Sequence, residues 1–316
     1  MVGAITIKRN ISLKNLTTFK IGGRAKYFTE IVSKKQLIQV LRWVNKKNLP
    51  FFVLGNGSNV LFKDDNYSGL VIKLNNSTIN CHQNKTLTLG AGVYLPELLQ
   101  KCVKNEWGGL EWAAGIPGTI GGAVYGNAGA FGHEIKDRVI RVTTIDPVNF
   151  IEKSYYSRQC QFGYRTSVFK QLSEIIWKVE LAITPEPQSN IQQQMIANLA
   201  SKQVLLKYAS AGSVFKNVLI QETPYRNSYN PKTQEVKILN QRIKVKGGKV
   251  SAGWFIEACG LKGKKCGKAM IAPFHANVII NLGGAKADEV IYLIELCQRM
   301  VWKKFKIKLE VEIIII

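Results

Sequence analysis

The sequence predicts an α+β fold, with helices and strands mixed along the chain. Three observations carry this reading. Helical apolar spacing recurs at 34–49 and 286–304, and strand-like patterns dominate 138–184. Nowhere do strands and helices alternate regularly, as a doubly wound parallel sheet would require. At 316 residues, 46% hydrophobic and 21% charged, the chain can build two or three compact units. The composition excludes disorder, collagen-like sequence and coiled coil.

Residues 15–31 mix β-formers with a Gly-Gly break, giving a strand and a turn. Leu37, Val40, Leu41 and Val44 fall at i, i+3, i+4 and i+7, the stripe of an amphipathic helix that Pro50 ends. FFVL at 51–54 starts a strand that opens into GNGSN, and VLFKDDNYSGLVIKL reads as strand, polar turn, strand. TLTLGAGV predicts a strand and LPELLQKCVKNEW a short helix. Ala113–Gly132 is uncharged for 20 residues, about the length of a membrane span. Seven glycines, a proline and an asparagine make it a poor lipid-facing helix, so a buried loop is expected. RVIRVTTID and EIIWKVELAI read as strands, and PEPQSNIQQQ, from Pro185, as a linker before a helical stretch. A polar, basic insertion of about thirty residues lies near 219–250. Residues 252–260 and 286–304 read as helices, with Val290, Leu293, Ile294, Cys297 and Val301 on one face of the second. The ending KIKLEVEIIII alternates and predicts a terminal strand with Glu310 and Glu312 on one face.

The net charge of +23 is spread evenly: residues 1–150 carry 19 basic and 9 acidic groups, the remainder 25 and 12. Such a background favours anionic ligands without specifying a nucleic-acid site. Six cysteines without a CxxC pair and three scattered histidines argue against a structural metal site or a disulfide framework, and for a reducing compartment. The first residues lack the apolar core of a signal peptide, so a cytoplasmic protein without membrane insertion is expected.

Gly55, Asn56, Gly57, Ser58 and Asn59 follow a strand, where small residues let backbone N–H groups approach a phosphate. A dinucleotide fingerprint of the Rossmann type fails here. Val60 replaces the third glycine, no helix pattern follows, and Asp64 and Asp65 come too early. Alone, the loop is equally an ordinary tight turn. The second glycine-rich stretch contains Gly115, Ile116, Pro117, Gly118, Thr119, Gly121, Gly122, Asn127, Gly129 and Ala130. So many glycines disfavour a helix or strand interior and suit backbone lying flat against something large. Two such loops suggest a bulky dinucleotide cofactor. Arg165, in FGYRTSVFK, is a fork donor suited to a carboxylate or phosphate. Ser213, in ASAGSVFKN, stands among small residues, and no GxSxG elbow points to a serine hydrolase.

In collinear order, TTFKIGGRA, LGNGSNVLFKDD, GLEWAAGIPGTIGGAVYGNAGAFGHEIKD, CQFGYRTSVFK, SAGSVFKN, AGWFIEACGLKG, HAN and LEVEI resemble the UDP-N-acetylenolpyruvoylglucosamine reductases of bacterial cell-wall synthesis. Arg165 and Ser213 lie 48 positions apart, which leaves no room for a substrate-capping insert and resembles the shorter, type II form. The resemblance implies a two-lobed FAD-binding domain of the vanillyl-alcohol-oxidase type, with lobes at 1–78 and 79–188. A substrate domain at 189–316 would follow. It also implies noncovalent FAD held by the two glycine-rich loops and NADPH as electron donor. The substrate would be the enolpyruvyl ether of a UDP-sugar. Arg165, Ser213 and Glu312 match the family's catalytic positions, and Tyr164, Lys216, Asn217 and Lys262 match positions near the substrate. The chain departs from the family at Val218, where proline is usual, in LASKQVLLKYA, and in its proline-free tail. Lys202 and Lys207 stand where cations could compensate. Two other readings remain open on the residues: a flavin oxidase of the same fold, and a noncatalytic basic homologue that binds nucleic acid or anionic surfaces.

Overall fold

A computed structural model describes residues 5–316. The chain forms two compact units that do not follow simple sequence order. One takes the residues up to Ser12, Arg24–Ser58 and Asn66–Leu206; the other takes Leu13–Gly23, Asn59–Asp65 and Lys207–Ile316.

The first unit holds two larger sheets and two short two-stranded ones. In the four-stranded sheet the order is Lys8–Ser12, Arg24–Ile31, Tyr67–Leu74, Phe51–Leu54; the first pair is antiparallel and the others parallel. Helix α1 (Lys34–Lys46) is the crossover between parallel strands, capped by Ser33, whose hydroxyl accepts from Gln36 N–H at 3.3 Å. Its predicted stripe of Leu37, Val40, Leu41 and Val44 is buried. The five-stranded sheet is antiparallel, in the order Glu152–Tyr156, Val139–Ile145, Ile175–Ala182, Thr86–Gly90, Ile79–His82. Helix α2 (Leu95–Lys104) buries Leu95, Leu98, Leu99 and Cys102 in the same core.

Two expectations change here. The glycine-rich stretch is not all loop, because Ile120–Gly126 forms a short helix, α3. Thr119 caps it by accepting from Gly122 N–H at 3.3 Å, and Asn127, with φ 43°, closes it in the left-handed conformation. Gly121 is needed there: a Cβ would come within 2.8 Å of the Ala91 Cβ, and its N–H donates to Ala91 C=O at 2.8 Å. Packing at this close approach outweighs glycine's low helix propensity. The supposed linker is also helical. α4 (Gln188–Ala200) begins inside it and belongs to the first unit, whose chain runs on to Leu206.

In the second unit the sheet order is Ala209–Ser213, Val278–Asn281, Ala269–Ile271, Lys265–Cys266, all antiparallel. α5 (Ala252–Ala258) and α6 (Ala287–Phe305) pack through Phe255 and Phe305. Val290, Leu293, Ile294, Cys297 and Val301 are buried as predicted. Asp64, too early for a dinucleotide site, accepts from Ala287 N–H at 2.7 Å at the start of α6, where a carboxylate suits the helix dipole. The basic insertion is folded. Tyr229–Asn230, Glu235–Ile238 and Gln241–Lys244 form a meander whose Val236, Ile238 and Ile243 join the core. The predicted terminal strand is short: Ile314–Ile315 pairs in parallel with Val60–Leu61, and Val311 makes one bridge to Phe215. Among the described residues no helix is long and apolar enough to cross a membrane. Cys102, Cys160 and Cys297 are buried, with burial pushing their thiols up to about 12, 11 and 12.

Candidate active site

In the first unit the two glycine-rich stretches meet. Asn56 Nδ2 donates to Pro117 C=O at 2.8 Å, and a Cβ on Gly55 would lie 2.5 Å from Thr119 Oγ1. Ser58 Oγ is 3.6 Å from the place of a Gly118 Cβ. Residues 55–58 and 117–119 thus form one continuous surface of small residues. The glycines of the two stretches fall into two groups. Gly55, Gly115, Gly121 and Gly129 are glycine because protein atoms fill the space: Thr119, Lys202, Ala91 and the His133 carbonyl, respectively. A Cβ on Gly118 would make only ordinary contacts, Gly122 has Thr119 Oγ1 alone nearby at 3.5 Å, and Gly126 faces open space. Bare backbone at Gly118, beside the hydroxyl of Ser58, and uncrowded backbone at Gly122 and Gly126 suit a large flat ligand.

Asn127 is fully buried. Its amide donates to Gly163 C=O at 2.8 Å and to Glu134 Oε2 at 3.0 Å, so it ties the glycine-rich stretch to the turn that carries Arg165. Gly129 and Ala130 pair with Glu134 and His133 in a small hairpin. Arg165 has φ 56°, left-handed for a residue with a Cβ, and Gly163 and Thr166 bridge across the turn. One arm of its guanidinium donates to Gly129 C=O at 2.8 Å, and its Cζ lies 5.2 Å from the centre of the Tyr164 ring. Lys170 Nζ grips the Arg165 carbonyl at 2.8 Å.

Lys202 enters this region from beyond α4. Its ammonium donates to Ala114 C=O at 2.8 Å and lies 4.9 Å from the centre of the Phe131 ring, while its Cδ occupies the space beside Gly115. Burial lowers its pKa to about 8. The sequence offered Lys202 only as a spare cation; no local pattern tied it to Gly115.

In the second unit, Ser213 ends the strand Ala209–Ser213 on a bulge, since Ser210 pairs with Ile280 and Ser213 with Val278. Gly212, at φ 73°, makes the bulge and leaves Ser213 exposed while Val214 and Phe215 are buried. The C-terminal segment runs beside this strap: Glu312 N–H donates to Val214 C=O at 2.7 Å and Lys216 N–H to Glu310 C=O at 2.9 Å. Ser213 and Glu312, about 100 positions apart in sequence, are thereby brought onto adjacent segments. Asn59 belongs to this unit; its amide donates to the Glu312 carbonyl at 3.2 Å. Lys216 forms an ion pair with Glu310, and Asn217 Oδ1 accepts from Ala252 N–H at 3.1 Å at the start of α5. Lys262 pairs with Glu257 at 2.7 Å.

Residues 204–316 match the family profile of the UDP-N-acetylenolpyruvoylglucosamine reductase C-terminal domain, and residues 25–149 match an FAD binding domain. A reductase of that name from Carboxydothermus hydrogenoformans is 36% identical, over 97% of this chain and 93% of its own length. The chain belongs to the UDP-N-acetylenolpyruvoylglucosamine reductase family. A relative from Caldicellulosiruptor bescii is 37% identical over 95% of this chain and 88% of its own. The crystal structure of the Thermus caldophilus reductase superposes with a TM-score of 0.76 at 30% identity, covering 99% of both chains. The fold is accordingly α+β, an FAD-binding domain with the family's C-terminal domain. Both glycine-rich loops fall inside the FAD-binding match, and Ser213, Lys216, Asn217, Lys262 and Glu312 inside the C-terminal one. Tyr164, Arg165 and Lys202 fall in neither.

Proposed function

We propose that this reductase converts the enolpyruvyl ether of UDP-N-acetylglucosamine to UDP-N-acetylmuramate in the cytoplasm, with NADPH as donor and noncovalently held FAD, as a step of peptidoglycan precursor synthesis. The relationship to reductases of this name along nearly the whole chain carries the reading. The division into lobes at 1–78 and 79–188 and a substrate domain at 189–316 belongs to the same proposal. One sheet within 8–74 and another within 79–182 support the two lobes, whereas the compact units place 189–206 with the first unit and 13–23 and 59–65 with the second.

Gly55–Ser58 and Gly115–Gly122 foremost would hold FAD, with Asn59, Asn127, Gly129 and Ala130 among the cofactor-binding positions. Bound FAD would supply the hydride chemistry that links NADPH to C3 of the enolpyruvyl group. The chain's own residues manage the charge that results. Hydride at C3 leaves negative charge on C2 and the carboxylate, and the fixed guanidinium of Arg165 stabilises charge of this kind where it develops. Ser213 delivers the proton to C2, a general-acid role worth about 10²–10⁴ in rate. Glu312 polarises the carboxylate or relays the proton. Tyr164, Lys216, Asn217 and Lys262 contact the sugar nucleotide.

An anaerobic absorbance titration tests the reading. A flavin spectrum bleached by NADPH and restored by the enolpyruvyl sugar nucleotide is the expected result. Bleaching without restoration would remove the substrate, and a colourless protein that takes up no FAD would overturn the reductase altogether.

A further inference from the structure

The buried side chain of Asn277, in the HAN motif, is used neither by the loops nor by the chemistry above. It is 4% exposed. Its Oδ1 accepts from Phe215 N–H at 2.9 Å and its Nδ2 donates to Phe215 C=O at 2.8 Å. Its own carbonyl accepts from Val214 N–H at 2.8 Å. Together with the Glu312 N–H on Val214 C=O, these bonds use all four backbone polar groups of the two residues after Ser213. Asn277 makes three of the four.

The reason is geometric. The ladder between Ala209–Ser213 and Val278–Asn281 ends at the Ser213–Val278 pair. Beyond it the partner chain turns through His275, whose Nδ1 accepts from Asn277 N–H at 3.2 Å. A carboxamide presents the same donor and acceptor pair as a peptide group, so the Asn277 side chain supplies the next rung where the strand can no longer do so. The rung matters because Ser213 follows a bulged glycine and has no burial of its own; what fixes its place is the anchoring of Val214 and Phe215.

We infer that Asn277 is a positioning residue for Ser213: by pinning Phe215 on both sides it sets where the Ser213 hydroxyl meets C2 of the substrate. The inference rests on the proposed role of Ser213 as proton donor. A shift of about 1 Å in such a group can cost on the order of 10²-fold.

Asn277→Asp is nearly isosteric, keeps the acceptor for Phe215 N–H and loses the donor to Phe215 C=O. With intact holoenzyme, it is expected to slow flavin reoxidation by the enolpyruvyl sugar nucleotide tenfold or more, at about 10²-fold in full. Bleaching by NADPH should keep its rate. In a Ser213→Ala background the same substitution should cost less than about twofold, because its effect acts through the serine. Normal reoxidation in Asn277→Asp, equal slowing of both half-reactions, or the full loss persisting in Ser213→Ala would each overturn the inference. If Ser213→Ala alone reoxidises normally, the reading of Ser213 as acid fails first and takes the inference with it. Asn277→Ser serves as a second variant. A readout independent of both variants and of turnover is amide hydrogen exchange in the FAD-free wild-type protein. Val214 and Phe215 should exchange as slowly as the sheet residues Ile279 and Ile280; exchange at the rate of an open loop would show that the grip does not exist.

Discussion

The turn carrying Arg165 and the strap carrying Ser213 solve the same problem in opposite ways. Both must aim a polar side chain from backbone outside regular structure. At Arg165 the left-handed conformation falls on the arginine itself, at a cost of about 1–2 kcal/mol for a residue with a Cβ. Bonds to the Gly129 carbonyl and from Lys170, with the Tyr164 ring, over-determine the turn and hold it there. At Ser213 the unusual conformation is moved one residue back, onto Gly212, where it costs little. A long, forked side chain can be fixed by its own contacts, whereas a hydroxyl has too few and depends on the backbone that carries it.

The sharpest test of this contrast is removal of the functional groups. Ser213→Ala should leave bleaching by NADPH intact and slow substrate-dependent reoxidation by about 10²-fold or more in stopped-flow absorbance. Equal loss in both half-reactions would mean that the serine serves the whole site rather than one proton transfer. Arg165→Lys keeps the charge and loses the fork, so turnover should fall on the order of 10²-fold, and near-normal kcat/KM would take Arg165 out of the mechanism.

Smaller effects separate strain from function. Gly212→Ala has open space around the new methyl, so its cost should be conformational alone, about 1–2 kcal/mol in urea unfolding. A loss well beyond that would mean the bulge is held by more than its glycine. The smallest effect concerns pH. Burial holds the Lys202 pKa near 8, below the ordinary 10.5, so the folded state disfavours its charge. As pH rises from about 8 to 10.5 the folded protein gives up this proton before the unfolded chain does, and folding stability gains across that window. Thermal midpoints of the wild type should therefore rise relative to Lys202→Met between pH 8 and 10.5. A constant difference would show that the ammonium is not desolvated.

What the sequence determined by itself was set by local period and collinear motif. The stripe from Leu37 to Val44 and that from Val290 to Val301 fix their helices wherever they pack, because burial of one face follows from spacing alone. The ordered series of motifs likewise fixed family, fold class and cofactor. Tertiary structure decided the rest, where one residue's role depends on another far along the chain. α3 forms among glycines because Ala91 lies against Gly121, a contact no local window contains. Seven residues at Asn59–Asp65 leave their sequence neighbours for the second unit, where they pair with the C-terminus and cap α6. The next rung beyond Ser213 exists only because Asn277 arrives there, 62 positions after Phe215, with a carboxamide in place of a strand. Hydrogen-bond partners are chosen by proximity in space, and that proximity is created only by packing.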